Sequence, residues 1–233
     1  MLSKSSVQHC LCCGVDHLTY SPVLWDALIQ EWELKPDEVE YINRQQGVHC
    51  PVCTSNLRAM ALAVALMSNF RFSGIFSEFV MQPSIQNLEI LEVNEAGALN
   101  QFLSKLPKHS LETYPNIDMM ALPFAASSFD IVCHSDTLEH IPDPIAGLSE
   151  CHRVLKPGGI LAFTVPIVVD RLTRSRNGLP PSYHGFPEDE RTDFLVHTEY
   201  GSDAWRQVIQ AGFQECRITA LEYPHALALS AVK

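Results

Sequence analysis

The sequence has little positive charge: 16 Lys and Arg stand against 27 Asp and Glu, for a formal net charge of −11. A surface of that sign sets up no general attraction for a phosphate backbone, which disfavours a large nucleic-acid interface and leaves room only for a local basic patch. Long apolar runs are missing as well. Ala59–Met67 is the longest run of small apolar residues, far short of the roughly 20 residues that cross a bilayer. The start, MLSKSSVQHC, holds no apolar signal core. No internal repeat or low-complexity tract is present. These absences point to the reducing cytoplasm, where eight cysteines read as metal ligands before disulfides. At 233 residues and 46% hydrophobic content the chain has room for one α/β domain with a small appendage, and not for two enzyme domains.

The most informative stretch is Phe129–Pro166, FDIVCHSDTLEHIPDPIAGLSECHRVLKPGGILAFTVP. Phe129, Ile131 and Val132 form one short apolar run and Ile160–Val165 another. Between them Ile145, Leu148, Cys151, Val154 and Leu155 fall on one helical stripe behind an Asp143-Pro144 cap, and Lys156-Pro157-Gly158-Gly159 stops the helix. Two apolar strands joined by a helix are most economically a parallel pair with a right-handed crossover. The fold class is therefore α/β.

The string LPFAASSFDIVCHSDTLEHIPDP followed by RVLKPGGILAFTVP resembles the central half of the class I S-adenosylmethionine-dependent methyltransferases, in the type 11-like branch with LPF, FD, LEH and LKPGG landmarks in this order. The resemblance covers about residues 85–165. It implies a Rossmann-like three-layer sandwich, with a mostly parallel sheet closed by antiparallel C-terminal strands, here Arg217–Leu221 and Ala226–Val232. The domains expected are a zinc-binding module and helical cover at 1–80 and a methyltransferase domain at 81–233. The resemblance also implies the cofactor contacts: Glu92, Asn94 and Gly97 around the turn after the first strand, Glu112 for the ribose, Asp118 and Leu122 near the adenine, and Ser135 and Asp136 on the floor. The turn departs from the family. Asn94, Ala96 and Ala98 occupy places where glycine usually lets backbone approach the ligand closely. The short distance from Glu92 to Asp118 also implies an abbreviated second helix and third strand.

Cys10-x-x-Cys13 and Cys50-x-x-Cys53 supply four thiolates with the spacing of a closed, structural zinc site, with Cys12, His9 and His49 as reserve ligands. Trp25, Leu28, Ile29 and Trp32 make an amphipathic stripe after Ser21-Pro22, before Lys35–Glu40 turn polar; the tryptophans read as packing residues. Residues 54–80 read as helix that leans on the catalytic domain. Asp136, Glu139 and His140, at i, i+3 and i+4, would share a helical face and offer a divalent ion a carboxylate, a carboxylate and an imidazole.

Residues 167–203 leave the strand–helix alternation, and in the resembled superfamily such an insertion recognises the acceptor. Arg171, Arg174 and Arg176 are the candidate contacts for an acceptor carboxylate or phosphate. His184 and Tyr183 are the candidate bases, with His197 in reserve. Asp203 is placed to cap a helix Ala204–Ala211 with Trp205, Val208 and Ile209 inward. The resulting expectation is methyl transfer to a small-molecule acceptor, the other readings being a zinc-bearing RNA methyltransferase and a non-catalytic interaction protein that keeps the fold.

Overall fold

The structure, a computed structural model, describes residues 7–183 and 192–233. Its N-terminal part runs through β1 (Thr19–Tyr20), α1 (Asp26–Glu31), α2 (Pro36–Gly47), β2 (Val48–His49), α3 (Leu57–Asn69), α4 (Phe76–Phe79) and α5 (Pro83–Gln86). There follow β3 (Ile90–Val93), α6 (Asn100–Leu103), β4 (His109–Glu112), β5 (Phe129–Ser135), α7 (Pro144–Val154) and β6 (Leu155–Thr164). The chain then makes the short strands β7 (Ile167–Val168), β8 (Arg174–Ser175) and β9 (Thr198–Gly201), helix α8 (Trp205–Gln210), and a final hairpin of β10 (Arg217–Leu221) and β11 (Ala226–Val232).

Six strands form one sheet in the order β4-β3-β5-β6-β11-β10. β4 through β6 are mutually parallel, and β11 and β10 are antiparallel. Between β4 and β5 the chain adds only a 3-10 turn, Met119–Ala121, so the expected shortening takes the form of a strand left out. Alternation along the strands sorts side chains to two faces. Ile90, Ile131, Cys133, Ala162, Ala226 and Ala228 pack with α3 and the cysteine-bearing segment. Leu91, Val132, Leu161, Phe163, Leu227 and Leu229 pack with α7 and α8. The first face is built from small residues on both sides, Ala162, Ala226 and Ala228 on the sheet and Ala61, Ala63 and Ala65 on α3, which lets helix and sheet approach closely.

Several elements differ from expectation for identifiable reasons. Helix 54–80 breaks after Asn69, where Arg71 (φ +53) and Gly74 (φ +152) turn the chain; a Cβ on Gly74 would lie 2.9 Å from the Phe72 ring. The turn lets Phe70, Phe72 and Phe76 gather around Phe79 at centroid distances of 5.5–5.6 Å. The polar stretch Lys35–Glu40 opens α2: Pro36 takes the first helical position and Glu38 Oε2 accepts the Lys35 N–H at 2.8 Å. Lys156–Gly159 lies inside β6 as a bulge, since Phe129 pairs with Leu155 but Ile131 with Ile160. On α8 Val208 is buried while Trp205 and Ile209 are exposed.

Candidate active site

The turns after parallel strands diverge at their carboxyl ends and leave a crevice there. In this chain the crevice is a cavity of about 520 Å³, walled by Asn94 and Glu95 after β3, Tyr114 and Ile117 after β4, Asp118–Met120, and Ser135–Thr137 after β5. Asn94 sits at φ +53, a left-handed conformation that asparagine tolerates better than other non-glycine residues. Its N–H donates to the Glu112 carbonyl at 2.8 Å, and its Oδ1 accepts the Tyr114 N–H at 3.0 Å. The turn thus keeps a glycine-like shape through an asparagine that ties the ends of β3 and β4 together. Glu92 lies beneath it, fully buried: Oε1 accepts the Ala96 N–H at 2.6 Å, and Oε2 accepts Asn100 Nδ2 at 3.0 Å and lies 2.6 Å from His109 Nε2. These bonds fix the turn from inside the protein.

Four of the expected cofactor residues, Asn94, Asp118, Ser135 and Asp136, therefore line one cavity. The other four do not. Glu92 is consumed by the turn. Glu112 gives its carbonyl to Asn94 while Tyr114, two residues on, takes the wall. Gly97 (φ +56) faces Ser135 Oγ from outside the cavity lining. Leu122 is in the core, its backbone held by Glu150 and Arg153.

A second cavity, of about 290 Å³, adjoins the first, and Asp136, His140 and Phe194 line both. Its remaining walls come from far away in sequence: Trp25, Leu28 and Trp32 at α1, Ile42, Gln45 and Gln46 on α2, Arg58 on α3, and Ile167 and Val168 on β7. Arg58 is buried, and its Nη2 donates to Asp136 Oδ2 at 2.6 Å. Trp32, read as packing, is buried, donates Nε1–H to Ser182 Oγ at 2.9 Å and forms a cavity wall. The clue to Arg58 in the sequence is a lone cation in the otherwise apolar first turns of α3; nothing local marks Trp25, Trp32 or Phe194 as neighbours.

Asp136, Glu139 and His140 do not converge into the expected ion site. Asp136 is left-handed (φ +50) and only Leu138–His140 form a 3-10 turn, so no common helical face exists. Asp136 is taken by Arg58, and Glu139 is fully buried, its carboxyl pushed well above the usual range by that burial and then by the charge of Asp136. Burial pushes the His140 imidazole down.

The three arginines of 167–203 brace that segment and line neither cavity. Arg171 donates Nε and Nη2 to the fully buried Glu38 carboxylate at 2.9 and 2.7 Å, and Nη1 and Nη2 to the carbonyls of Trp32 and Glu33. Arg174 and Arg176 both pair with Glu199. Tyr183 bridges its backbone to Leu195 and lines neither cavity, and His184 lies outside the described residues. The reserve base His197 does line the larger cavity, its N–H on the Glu139 carbonyl at 2.7 Å.

Just before α3 the Sγ atoms of Cys10, Cys13, Cys50 and Cys53 all lie within 4.8 Å of one another, and among the described residues no other group of three or more such side chains could hold a metal ion. Cys10 and Cys53 are 3.4 Å apart, and Cys13 and Cys50 3.6 Å. Four thiolates around one zinc stand ~3.8 Å apart at Zn–S distances of ~2.3 Å. Gly14 (φ +84) and Thr54 (φ +59) close the two knuckles, and the N–H groups of Cys13, Val52 and Cys53 point at sulfurs. The reserves are not needed: His49 uses its ring nitrogens on Thr19 Oγ1 and the Gly47 carbonyl, and Cys12 and His9 stand outside the cluster.

Residues 87–163 match the family model of a methyltransferase domain. The ubiquinone biosynthesis O-methyltransferase of Cereibacter sphaeroides is 42% identical over 48 residues, 21% of this chain and 19% of that protein. The demethylmenaquinone methyltransferase of Lysinibacillus sphaericus is 36% identical over 79 residues, 30% of this chain and 34% of that protein. The chain thus spans about a fifth to a third of the curated relatives it matches. Among solved structures, an S-adenosylmethionine-dependent methyltransferase from Mesorhizobium loti aligns with 66% of this chain and 95% of its own at 16% identity and TM-score 0.39. One from Methanosarcina mazei covers 65% and 97% at 18% and 0.40.

Proposed function

We propose that this chain, a class I S-adenosylmethionine-dependent methyltransferase by its central segment, transfers the methyl group of S-adenosylmethionine to a small-molecule acceptor. The observation that carries this reading is the pair of joined cavities. The larger lies where methyl donors are held in this fold, at the carboxyl ends of the parallel strands, and the smaller meets it at Asp136, His140 and Phe194. The donor supplies a methyl carbon on a positively charged sulfur, open to in-line displacement. The protein's part is to align the two reactants and exclude water, which joined cavities of limited size accomplish. Asp118, exposed at the edge of the larger cavity, would meet the adenine or ribose, and Ser135 and Asp136 would floor the sulfur end.

The residues fit the donor: the turn after β3 keeps its left-handed shape with Asn94 in the glycine position, so the missing glycines alone do not argue for a non-catalytic scaffold. The names of the relatives, which specify quinone-related methyl transfer, support a small acceptor over RNA. So do Arg171, Arg174 and Arg176, whose charges are spent on Glu38 and Glu199. The four-cysteine cluster would hold one structural zinc ion, leaving no coordination position open for chemistry.

Calorimetric titration with S-adenosylmethionine and S-adenosylhomocysteine tests the reading. Micromolar binding is expected, weakened about tenfold, or about 1.4 kcal/mol, in Asp118→Ala. A folded, zinc-loaded protein that binds neither compound would overturn it.

A further inference from the structure

Two polar links run from the second cysteine knuckle to the larger cavity. The first runs through α3. The knuckle leads straight into that helix: the Cys50 N–H donates to the Ser55 carbonyl at 2.9 Å, Asn56 caps the helix by accepting the Ala59 N–H at 2.8 Å, and Arg58 lies in its first turn. Arg58 is buried, and its Nη2 donates to Asp136 Oδ2 at 2.6 Å. Separating the two would leave a buried guanidinium without its counter-charge, so Asp136 sits where the start of α3 puts it. Asp136 and Ser135 line the larger cavity together. The second link runs through Gln101 on α6, an exposed side chain whose Nε2 donates to the Cys53 carbonyl at 2.7 Å and to the Ala98 carbonyl at 2.9 Å. Ala98 belongs to the 3-10 turn Gly97–Leu99, which continues the segment carrying the wall residues Asn94 and Glu95. Glu92 holds that segment from inside through Ala96 and Asn100. The knuckle therefore braces the turn after β3 from outside, while Arg58 braces the turn after β5.

We propose that Arg58 and Gln101 are positioning residues that couple the cysteine cluster to the donor cavity, so that zinc at the cluster raises the affinity for S-adenosylmethionine and the bound donor in turn retains the zinc. This rests on the methyltransferase reading and adds its regulation by metal. The element with two states is the second knuckle together with the start of α3. Sulfurs paired at 3.4 and 3.6 Å need the charge of an ion between them once they are thiolates, and without it the knuckle relaxes. Relaxation draws the Cys53 carbonyl away from Gln101 and shifts Arg58 under Asp136. Two walls of the donor cavity then loosen at once. With zinc bound the walls are set before the donor arrives, and less ordering is left for binding to accomplish. The coupling is reciprocal at equilibrium: a donor that prefers the set walls favours the metal-bound knuckle by the same factor. Neither Arg58 nor Gln101 lines the larger cavity, so both act through the residues that do.

The test follows release of zinc from the full-length, zinc-loaded protein to an excess of the colorimetric chelator pyridylazoresorcinol, with and without S-adenosylhomocysteine. Each protein receives the ligand at the same multiple of its own dissociation constant. General protection of a folded protein by its ligand then slows release equally in all of them, and only a specific link makes them differ. Wild-type release is expected to slow about tenfold. In Arg58→Met the slowing should shrink to about threefold, and in the double variant with Gln101→Ala to less than about twofold, each starting with stoichiometric zinc. Gln101→Ala alone changes an exposed side chain and should also lie near about threefold, which keeps the test decisive should Arg58→Met fold poorly. Equal slowing in wild type and variants would overturn the coupling. So would unchanged release from a wild-type protein that binds S-adenosylhomocysteine, or a folded protein that takes up no zinc, and the methyltransferase reading would stand in each case. Failure of the zinc-loaded wild type to bind S-adenosylhomocysteine would instead fell that reading, and the coupling with it.

Discussion

The two cavities are made in opposite ways. The walls of the larger one come mostly from the ends of three neighbouring strands, between Val93 and Pro142, where each turn follows its strand directly. The smaller one gathers α1, α2, α3 and β7, and its frame is tied by contacts across long stretches of chain, such as Trp32 to Ser182 and Arg171 to Glu38. A site built from strand ends is written in local spacing and is shared by many proteins of the same fold. A site assembled from distant elements is free to vary, which is why the strand-end cavity is legible in this chain and the second cavity is not.

The largest effect on this contrast is expected at the cysteine cluster. Cys53→Ser should abolish stoichiometric zinc and cost at least about 3 kcal/mol of stability, because the cluster packs into the same core as α3 and the sheet face. Metal analysis and thermal unfolding would check it; unchanged zinc content and unfolding temperature would mean that the cluster is not a metal site. The next effect is selective. Arg171→Ala leaves the buried Glu38 carboxylate without its guanidinium and should cost about 2 kcal/mol, less than a fully buried pair because the arginine side chain is 26% exposed. Since Arg171 clamps Trp32 and Glu33 at the smaller cavity, S-adenosylhomocysteine affinity should stay near wild type while the urea midpoint falls. A parallel loss of S-adenosylhomocysteine affinity would show that the two cavities are one mechanical unit.

The last effect, absent at neutral pH and confined to acid, concerns His134 on β5, fully buried and stacked on Phe163 at 4.8 Å. Burial pushes its imidazole down to about 3, against about 6.5 in the unfolded chain. The unfolded state therefore binds a proton that the folded state refuses. This histidine has no effect on stability above pH ~6.5, and stability falls by at most about 1.4 kcal/mol per pH unit as the pH drops from there toward 3. His134→Leu should flatten that acid limb in urea titrations taken at several pH values. An unchanged slope would assign the acid sensitivity elsewhere.

The sequence pattern around the sheet was legible because each signal was short-range. Asp143 caps α7 by accepting the Ala146 N–H at 3.0 Å, as the Asp-Pro pair implied, and the buried stripe of Leu148, Cys151 and Val154 follows the helical period. The paired CxxC spacings likewise placed Cys10, Cys13, Cys50 and Cys53 together. Spacing misled where it assumed a conformation. Asp136, Glu139 and His140 would share a face only on a regular helix, and left-handed backbone at Asp136 separates them. The arginines of 167–203 looked available because their partners, Glu38 and Glu199, are distant in sequence or paired through a strand register that composition does not reveal.

By itself, then, the sequence determined the α/β sheet and the cysteine cluster, since hydrophobic period, turn chemistry and ligand spacing act over a few residues at a time; of the eight residues that the family resemblance implied, Asn94, Asp118, Ser135 and Asp136 line one cavity and Glu92, Gly97, Glu112 and Leu122 do not. Only the tertiary structure decided that Arg58 meets Asp136, that two tryptophans wall a second cavity and that His140 stands between the two. Those contacts depend on how α3 seats on the small-residue face of the sheet. Such packing is set by the shape and volume of many side chains acting together, and no stretch of chain records it alone.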